Sequence, residues 1–341
     1  MDKTDRSYLR YARYAVQWGI FLFLVYAGYR FFFFVEHFLA HGAALQGTEE
    51  AILRNRFPSI EGFLPIGALM ALKLWITEGV FDSIHPAALV IFSSALVLAL
   101  VLKKSFCGWI CPVGAISESV GKLGRRVFGR NFLVPRYADY GLRSVKYVLM
   151  AFFIYVVVLK MPAAAIFRFI EGDYYKIADV KMLYFFTEMT ATTTVSLSLL
   201  FVLSLFYKNV WCRYLCPYGA LLGLVSFFSP MKINRNDQAC IHCGKCTKNC
   251  PSLLPVERLN SVRSPECTGC LTCVSHCPAK GALDVSLMKR RTVNPALFAC
   301  LIIAVLFGSI GIAQLAGKWH SAVTYEEYQR IVPQTSRLDH P

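Results

Sequence analysis

The chain has 341 residues, of which 56% are hydrophobic, and it carries a formal net charge of +15. This much apolar sequence excludes an ordinary soluble domain. The placement of the charges argues against a nucleic-acid partner: nine Lys or Arg against two acids occupy 103–146 and ten against four occupy 231–293, whereas acids outnumber bases in 36–86 and 167–190. This alternation follows the positive-inside rule, so we interpret the basic segments as a topology signal in contact with anionic lipid.

Five apolar runs of about 20 residues are predicted to cross the membrane, because each is long enough to span ~30 Å of hydrocarbon. They lie at 15–35, 87–102, 147–166, 191–207 and 296–317. A further apolar segment, 62–80, is interrupted by Lys73 and Glu78, and we expect it to lie on the membrane or to re-enter it. The first run is too long for a signal peptide and no cleavage site follows it, so it is predicted to remain a membrane helix.

The charge asymmetry also orients the predicted spans. It places the N-terminus and the basic segments 103–146 and 208–293 in the cytoplasm, and it places 36–86, 167–190 and the tail after Lys318 outside. Five spans satisfy this arrangement. The thirteen cysteines point the same way, since thiols on the cytoplasmic side stay reduced and free to bind metals.

The most specific signal is a motif with the spacing Cys-x2-Cys-x2-Cys-x3-Cys-Pro, which occurs twice: CIHCGKCTKNCP from Cys240 and CTGCLTCVSHCP from Cys267. In this spacing three cysteines hold one 4Fe–4S cluster, and the fourth, which we expect to begin a helix, serves the other cluster. A pair of zinc sites is the alternative, and four-cysteine runs closed by proline fit it poorly. The predicted ligands are Cys240, Cys243, Cys246 and Cys277 for the first cluster, and Cys267, Cys270, Cys273 and Cys250 for the second.

Other residues of these two motifs carry structural expectations. Gly244 and Gly269 lie between ligands, where a tight loop favours positive φ. The prolines that follow the fourth cysteines suit either the first turn of a helix or a change of chain direction. His242 and His276 also lie between ligands, and we expect both to face solvent because four thiolates per cluster are already present. A segment with two clusters this close is predicted to be an electron relay.

A second repeat precedes the ferredoxin-type segment. FCGWICPVGA from Phe106 and WCRYLCPYGA from Trp211 share a Cys-x-x-x-Cys-Pro motif at an offset of 105 residues, which also pairs Lys103 with Lys208. Each motif ends a predicted helical hairpin, 15–102 or 147–207, which indicates an internal pseudo-twofold arrangement. An amphipathic stretch follows the first proline.

The four cysteines of this repeat are Cys107, Cys111, Cys212 and Cys216. Cysteines four apart fall on one helical face, where they are well placed to share a ligand. The set therefore predicts a metal site, a third cluster, redox-active dithiols or a copper site, with simple packing at a helix end as the structural alternative. The remaining cysteine, Cys300, is predicted to be a small core residue of the last span.

Both Cys-x-x-x-Cys-Pro motifs, followed by the two-cluster segment, resemble a family of bacterial membrane polyferredoxins of the NapH, MauN, NosR and CcoG type. The resemblance covers roughly residues 10–292. It implies an electron carrier of the cytoplasmic membrane that takes electrons from quinol and feeds a periplasmic or membrane redox protein, with a second ferredoxin-type subunit as a further partner. CcoG-type relatives imply instead the reduction of copper during oxidase assembly. The chain departs from a short NapH by its fifth span, and from CcoG by lacking a large outer domain.

The electron source is the least specified part of the prediction. The sequence has no haem-attachment motif, dinucleotide fingerprint or P-loop, so electrons are expected from another protein or from a lipid-soluble donor. If that donor is quinol, it needs polar groups at the membrane edge that exchange protons. His85, Glu61 and Arg56 form the candidate quinol site, and the alternative is that these residues cap and solvate helix ends.

Together these observations predict an α-helical integral membrane protein of about five spans with an α+β ferredoxin-like cytoplasmic domain that holds two 4Fe–4S clusters. The expected divisions are a membrane domain at 1–229, the ferredoxin-like domain at 230–293, a fifth span at 294–317 and a short extracytoplasmic tail at 318–341. The predicted function is electron transfer between the quinone pool and a redox partner. The alternatives are an assembly factor that supplies electrons or reduces copper, and a NosR-like regulatory or accessory protein.

Overall fold

The structure, a computed structural model, describes residues 3–40, 48–288 and 291–338. Its contacts divide the chain into two compact units. The first unit comprises Met1–Phe21, Ala95–Ala151 and Leu197–Leu306, and the second comprises Leu22–Ser94, Phe152–Ser196 and Phe307–Pro341. The domain boundaries expected from the sequence remain predictions, and residues 339–341 of the expected tail lie outside the described residues.

Helices dominate the described residues. The α-helices are α1 Lys3–Leu39, α2 Glu49–Leu53, α3 Pro65–Glu78, α4 Pro86–Leu102, α5 Ser105–Trp109, α6 Pro112–Phe128, α7 Arg136–Ile154, α8 Ala163–Glu171, α9 Asp173–Lys176, α10 Ala178–Thr187, α11 Ala191–Phe206, α12 Pro217–Val225, α13 Lys245–Lys248, α14 Thr272–Ser275, α15 Pro295–Leu315 and α16 Tyr325–Ile331. Short 3₁₀ turns lie at Pro58–Phe63, Ser226–Phe228, Val256–Arg258 and Val332–Gln334, and π-helical turns at Tyr155–Lys160 and Trp211–Leu215.

Three of the described helical segments are long and apolar enough to cross a membrane: Tyr8–Leu39, Arg136–Lys160 and Pro295–Leu315. Two helix pairs pass the same test but are sharply bent, by 89° between Glu49–Phe63 and Pro65–Glu78 and by 74° between Ala178–Thr187 and Ala191–Phe206. The described chain therefore has three to five candidate spans. The predicted span at 87–102 coincides with α4, which is shorter than these segments.

Two details of the predicted segments differ from the structure. The third predicted span, 147–166, ends at Lys160 instead, because Pro162 forces Met161 into an extended conformation (ψ 118°) and the chain restarts as α8. Lys73, which the sequence presents as an interruption of an apolar segment, donates hydrogen bonds to the carbonyls of Val157, Val158 and Met161 at this helix end. A lysine at this position satisfies carbonyls that have no partner within the helix.

The second unit is built around aromatic and aliphatic side chains. One cluster joins Phe31, Phe34 and Phe38 of α1 to Tyr328 of α16. Helix α16 is held by a capping box in which Thr324 and Glu327 bond each other's backbone N–H groups. The described part of the tail is therefore folded, with Tyr328 only 1% exposed.

An antiparallel four-stranded sheet lies in the first unit. Its strands are β1 Met231–Arg235, β2 Ser261–Val262, β3 Leu283–Leu287 and β4 Arg291–Val293, in the order β2-β1-β3-β4. Ile233 on β1 stands opposite Val262 on β2 and Val285 on β3. The two ferredoxin-type motifs occupy the connections β1–β2 and β2–β3, with α13 and α14 inside them. The sheet thus brings together two cysteine loops that are 27 residues apart in the sequence.

Candidate functional site

The eight cysteines of the ferredoxin-type motifs line two separate cavities. The first cavity is lined by Cys240, Cys243, Cys246 and Cys277. The second is lined by Cys250, Cys267, Cys270 and Cys273. Each cavity contains three cysteines of one motif and the fourth of the other. These are the crossed sets that the spacing predicts, and ligation of a cluster by them remains a prediction.

The two cavities differ in exposure. All four cysteines of the second cavity are buried. In the first cavity Cys243 is exposed, Cys240 and Cys277 are half-buried, and Cys246 is buried. The first cavity is therefore the one that lies nearer to solvent.

Each cavity also has a cation with buried, unpaired nitrogen atoms. The Nζ of Lys103 is buried without a hydrogen-bond partner and lies within electrostatic range of Cys267 in the second cavity. Arg235 lines the first cavity; its Nη2 pairs with Asp237 at 2.6 Å, whereas its Nε and Nη1 are buried without a partner, and Cys240 is an electrostatic neighbour. Because an unpaired buried charge is costly, Lys103 in particular calls for an anionic group nearby. A cluster held by four thiolates is such a group, so the residues present fit it.

The glycine expectations for these loops are confirmed. Gly244 and Gly269 have φ of 66° and 59°, values that favour glycine. The expectation that the fourth cysteine begins a helix is wrong. Helices α13 and α14 end at Lys248 and Ser275, just before Cys250 and Cys277, and turns follow. The prolines after these cysteines change the direction of the chain, since proline supplies no N–H to continue a helix.

The two histidines of the motifs behave differently from each other. His242 is exposed, as expected, and has a positive φ of 51°. His276 is half-buried rather than solvent-facing, and its Nδ1–H donates to the Thr272 carbonyl at 2.9 Å. His276 therefore closes the end of α14.

The structure brings the four cysteines of the Cys-x-x-x-Cys-Pro repeat into mutual electrostatic range. Cys107 interacts with Cys111 and Cys216, and Cys212 interacts with Cys111, Cys107 and Cys216. All four side chains are half-buried. An edge-to-face contact between Phe106 of the first motif and Tyr218, just after the second, joins the two halves at a ring distance of 6.0 Å. The two motifs thus form one thiol site, defined here as Cys107, Cys111, Cys212 and Cys216.

The local geometry of the thiol site differs from the prediction that each pair lies on one helical face. Cys107 lies in α5, but Cys111 is the extended N-cap of α6 (ψ 120°). Cys212 lies in the π-helical turn, and Cys216 is the N-cap of α12 (ψ 104°). The proline after each second cysteine causes this break, because it disfavours a helical conformation at the preceding residue and starts a new helix well. The amphipathic stretch predicted after Pro112 is α6.

Lys104 supplies positive charge to the thiol site. It is 3% exposed, and its electrostatic neighbours include Cys107, Cys216 and Cys212. Its Nζ lies 3.5 Å from the point that a Cβ on Gly219 would occupy, and the Gly219 N–H donates to Cys216 Sγ at 3.2 Å. Burial raises the pKa of Cys107, Cys111 and Cys212 to about 12 each, while Lys104 opposes the shift at Cys107 and Cys212. A nearby ammonium group favours the thiolate form that metal ligation requires.

The positions of the cysteine side chains limit the kind of metal group that these sites can hold. Among the residues that the structure describes, no three His, Cys, Asp or Glu side chains are placed to bind a single metal ion. The ferredoxin-type cysteines share this property, as expected of ligands arranged around the corners of a cube rather than around one ion.

Buried ion pairs fix the helices on which these sites depend. The Lys146 ammonium on α7 contacts Glu266, next to Cys267, at 2.6 Å, and Tyr147 donates to the same carboxylate at 2.9 Å. Arg213, inside the second Cys-x-x-x-Cys-Pro motif, pairs with Asp139 through two contacts of 2.8 Å. These partners are not predicted from the sequence, because the pairing of buried charges depends on tertiary contacts.

The candidate quinol residues also meet, in the second unit. Arg56 Nη2 lies 2.7 Å from Glu61 Oε1 and 3.1 Å from His85 Nδ1. His85 Nε2–H donates to the Tyr175 carbonyl at 2.7 Å. The network adds Asp179, 2.8 Å from Arg56 Nε, which the sequence analysis missed. His85 is fully buried, so the network has no open face at the imidazole.

Two family models match the chain. One is a 4Fe-4S binding domain, which matches residues 84–131 and again 191–236, and the other is a 4Fe-4S dicluster domain at 232–278. The first model covers both Cys-x-x-x-Cys-Pro motifs, and the second covers both ferredoxin-type motifs. The matches define the chain as an iron–sulfur protein.

Several curated proteins are similar to it. YccM of Escherichia coli (strain K12), named for a proposed role in electron transport, is 48% identical over 287 residues, which cover 82% of this chain and 80% of YccM. The ferredoxin-type protein NapH of Haemophilus influenzae is 24% identical, with 57% of this chain and 68% of NapH covered. The methylamine utilization ferredoxin-type protein MauN of Paracoccus denitrificans is 30% identical, with coverage of 45% and 50%. No solved structure matches the chain.

The chain belongs to the membrane-type polyferredoxin family, as the similarity to YccM, NapH and MauN and the 4Fe-4S domain matches show. It is a membrane protein of electron transport that binds iron–sulfur clusters.

Proposed function

We propose that this protein carries electrons between the quinone pool and a redox partner through two clusters in the ferredoxin-type cavities and a third centre at the thiol site. The observation that carries the proposal is the convergence of three sets of four cysteines, with a cation beside each: Arg235, Lys103 or Lys104. A 4Fe–4S cluster, when bound, accepts and releases one electron at a time. The chain contributes the thiolates, the compensating charges and the exclusion of water.

Two observations favour a cluster at the thiol site over a copper ion or a pair of dithiols. The 4Fe-4S binding domain model matches both halves of the repeat, and its second match ends at residue 236, before the first ferredoxin-type cysteine. Among the described residues, no three of these thiols are placed to bind a single ion. Lys104 would offset the negative charge of four thiolates in this buried position.

Oxidation of a quinol releases two protons as well as two electrons, and the Arg56 network is the proposed proton acceptor. His85 Nε2 carries a hydrogen toward the Tyr175 carbonyl, so Nδ1 is the acceptor nitrogen of the ring, and it accepts from Arg56 Nη2 at 3.1 Å. This Nδ1 lies 3.4 Å from Glu61 Oε1, which gives a proton a second site.

The proposed location is a bacterial cytoplasmic (inner) membrane, with the N-terminus and the ferredoxin-like domain in the cytoplasm and the tail outside. The charge distribution supports this orientation. The proposed partners are a periplasmic or membrane redox protein and a second ferredoxin-type subunit.

Metal analysis tests the proposed cofactor content. Protein purified without oxygen should contain about twelve iron atoms and as many acid-labile sulfides per chain if all three centres are clusters, and about eight if only the ferredoxin-type cavities are filled. Serine at all four positions of the thiol site should lower the higher value to about eight. Zinc in place of iron would contradict the proposal.

Reporter fusions test the proposed orientation. A reporter fused after Arg291 is expected to register as cytoplasmic and one fused after Pro341 as extracytoplasmic, because α15 would cross the membrane between them. The comparison needs a compartment-specific pair, such as a phosphatase and a fluorescent protein, at both positions. The same location for both fusions would remove the fifth span.

A further inference from the structure

We propose that electrons cross between the thiol site and the ferredoxin-type segment at one place, the second cavity, so that the first cavity is the far end of the relay. This inference rests on the proposed function, because it takes the three cysteine sets as redox sites. In each event one electron leaves one site and enters the next, and no bond breaks and no proton moves. The reductant, under the proposed function, is a quinol.

The first half of the repeat touches the second cavity through its backbone. A Cβ added to Gly108 would lie 2.5 Å from the Thr268 carbonyl oxygen and 3.2 Å from Cys270 Cβ. The neighbouring Trp109 Nε1–H donates to the Gly269 carbonyl at 3.1 Å, and the Trp109 side chain is fully buried. Gly108 directly follows Cys107. Cys107 of the thiol site is therefore bonded to a residue that packs directly against the loop holding Cys267 and Cys270.

Two side chains of α1 hold this contact in place. Arg13 Nε and Gln17 Nε2 both donate to the Gly108 carbonyl, at 2.9 and 3.0 Å. Arg13 also donates through Nη1 to Thr272 Oγ1 at 2.9 Å, beside Cys273. The same guanidinium group thus binds both sides of the contact. Arg13 is itself held by an ion pair with Glu118, which fixes the guanidinium group at the junction.

The second half of the repeat reaches the remaining cysteine of the same cavity. Asn209 Nδ2 donates to the Pro251 carbonyl at 3.0 Å, and Arg213 Nη1 donates to the Ser252 carbonyl at 2.6 Å. Pro251 and Ser252 directly follow Cys250 and line the second cavity. At the repeat offset of 105, Asn209 and Arg213 correspond to Lys104 and Gly108. Both halves of the repeat therefore dock on the same cysteine set.

Two successive lysines connect the thiol site to the second cavity. Lys104 lies among the thiol-site cysteines, and Lys103 lies near Cys267 of the second cavity. Lys103 has a positive φ of 61°, an uncommon backbone conformation for a residue with a side chain. In contrast, the first cavity contains the exposed Cys243. Electron transfer slows steeply with distance. The second cavity, which is buried and contacts both halves of the repeat, is therefore the one that exchanges electrons with the thiol site.

Gly108→Ala tests the junction by kinetics. Its methyl group must displace the Thr268 carbonyl, whereas the control Gly121→Ala places a methyl no closer than 3.7 Å to its nearest neighbour, Lys208. With a water-soluble quinol as reductant, we expect Gly108→Ala to slow reduction of the ferredoxin-type clusters by roughly tenfold or more at unchanged iron content. Trp109→Phe, which removes the hydrogen bond to Gly269 and shortens a buried side chain without pushing on the Thr268 carbonyl, should give a smaller slowing in the same direction. Wild-type rates in both variants with intact clusters would overturn the proposal.

A spectroscopic measurement tests the same order without any quinol. In protein reduced by dithionite, neighbouring paramagnetic clusters broaden each other's electron paramagnetic resonance signals. The Cys107→Ser/Cys111→Ser variant is expected to sharpen the signal that Cys270→Ser removes and to leave unchanged the signal that Cys243→Ser removes. A change confined to the Cys243-dependent signal, or no change in either, would overturn the inferred order. If quinol fails to reduce the wild type while this pattern holds, the quinol part of the proposed function fails and the order stands.

Discussion

Replacing either cysteine pair of the thiol site with serine is expected to reduce quinol-driven reduction of the ferredoxin-type clusters as severely as replacing all four cysteines. Removing one pair leaves two thiolates, too few to hold a cluster, so each pair variant should already lose the whole site. We expect a rate loss of roughly a hundredfold or more in Cys107→Ser/Cys111→Ser, in Cys212→Ser/Cys216→Ser and in the fourfold variant, since residues that act as a unit are non-additive.

The rate is measured in membranes, with the iron of the ferredoxin-type cavities determined in each variant. Cys300→Ser is the matched control, because Cys300 is exposed on α15 and belongs to none of the three sets. Losses that multiply in the fourfold variant would contradict a shared site. A wild-type rate in the fourfold variant, with the other clusters intact, would show that the repeat does not carry electrons.

Serine at Cys250 is expected to damage the cluster of the other motif rather than that of its own. Cys250 is the fourth cysteine of the first motif, but it lies in the second cavity with Cys267, Cys270 and Cys273. A cluster with three thiolates is held weakly, so Cys250→Ser should lose most of one 4Fe–4S signal, about four iron atoms per chain. Cys246→Ser, at the preceding cysteine of the same motif, should remove the other signal.

The comparison is made by electron paramagnetic resonance on anaerobically purified variants, with Cys270→Ser and Cys243→Ser as references for the two cavities. Cys250→Ser should match Cys270→Ser, and Cys246→Ser should match Cys243→Ser. If Cys250→Ser and Cys246→Ser lose the same signal, the ligands do not cross between motifs.

The sequence predicts the cysteine geometry well because the spacing itself limits it. Three cysteines separated by two residues can only wrap one small loop, and the glycines that such loops need are present with the expected positive φ at Gly244 and Gly269. The repeat at an offset of 105 residues likewise indicates that two thiol pairs belong together. These features depend on residues close together in the sequence or on a fixed repeat, so they can be predicted without knowledge of the tertiary contacts.

Other features depend on tertiary contacts and were missed or misread. Cys300 was expected in a core, but α15 is apolar along its length and this position faces outward. Lys73 reads in the sequence as an interruption of a span, yet it serves the carbonyls at the end of another helix. The roles of Lys103 and Arg213 follow from the cavity and the carboxylate beside them, which lie far away in the sequence.

The central claim is that this membrane protein transfers electrons from quinol to its own clusters. The most direct measurement is the visible absorbance of purified protein in liposomes after anaerobic addition of a quinol, with dithionite added afterwards to define full reduction. The account predicts rapid partial bleaching of the cluster absorbance by quinol in the wild type, and a markedly slower response in His85→Gln with the same bleaching by dithionite. Full bleaching by dithionite in wild-type protein that does not respond to quinol would contradict it.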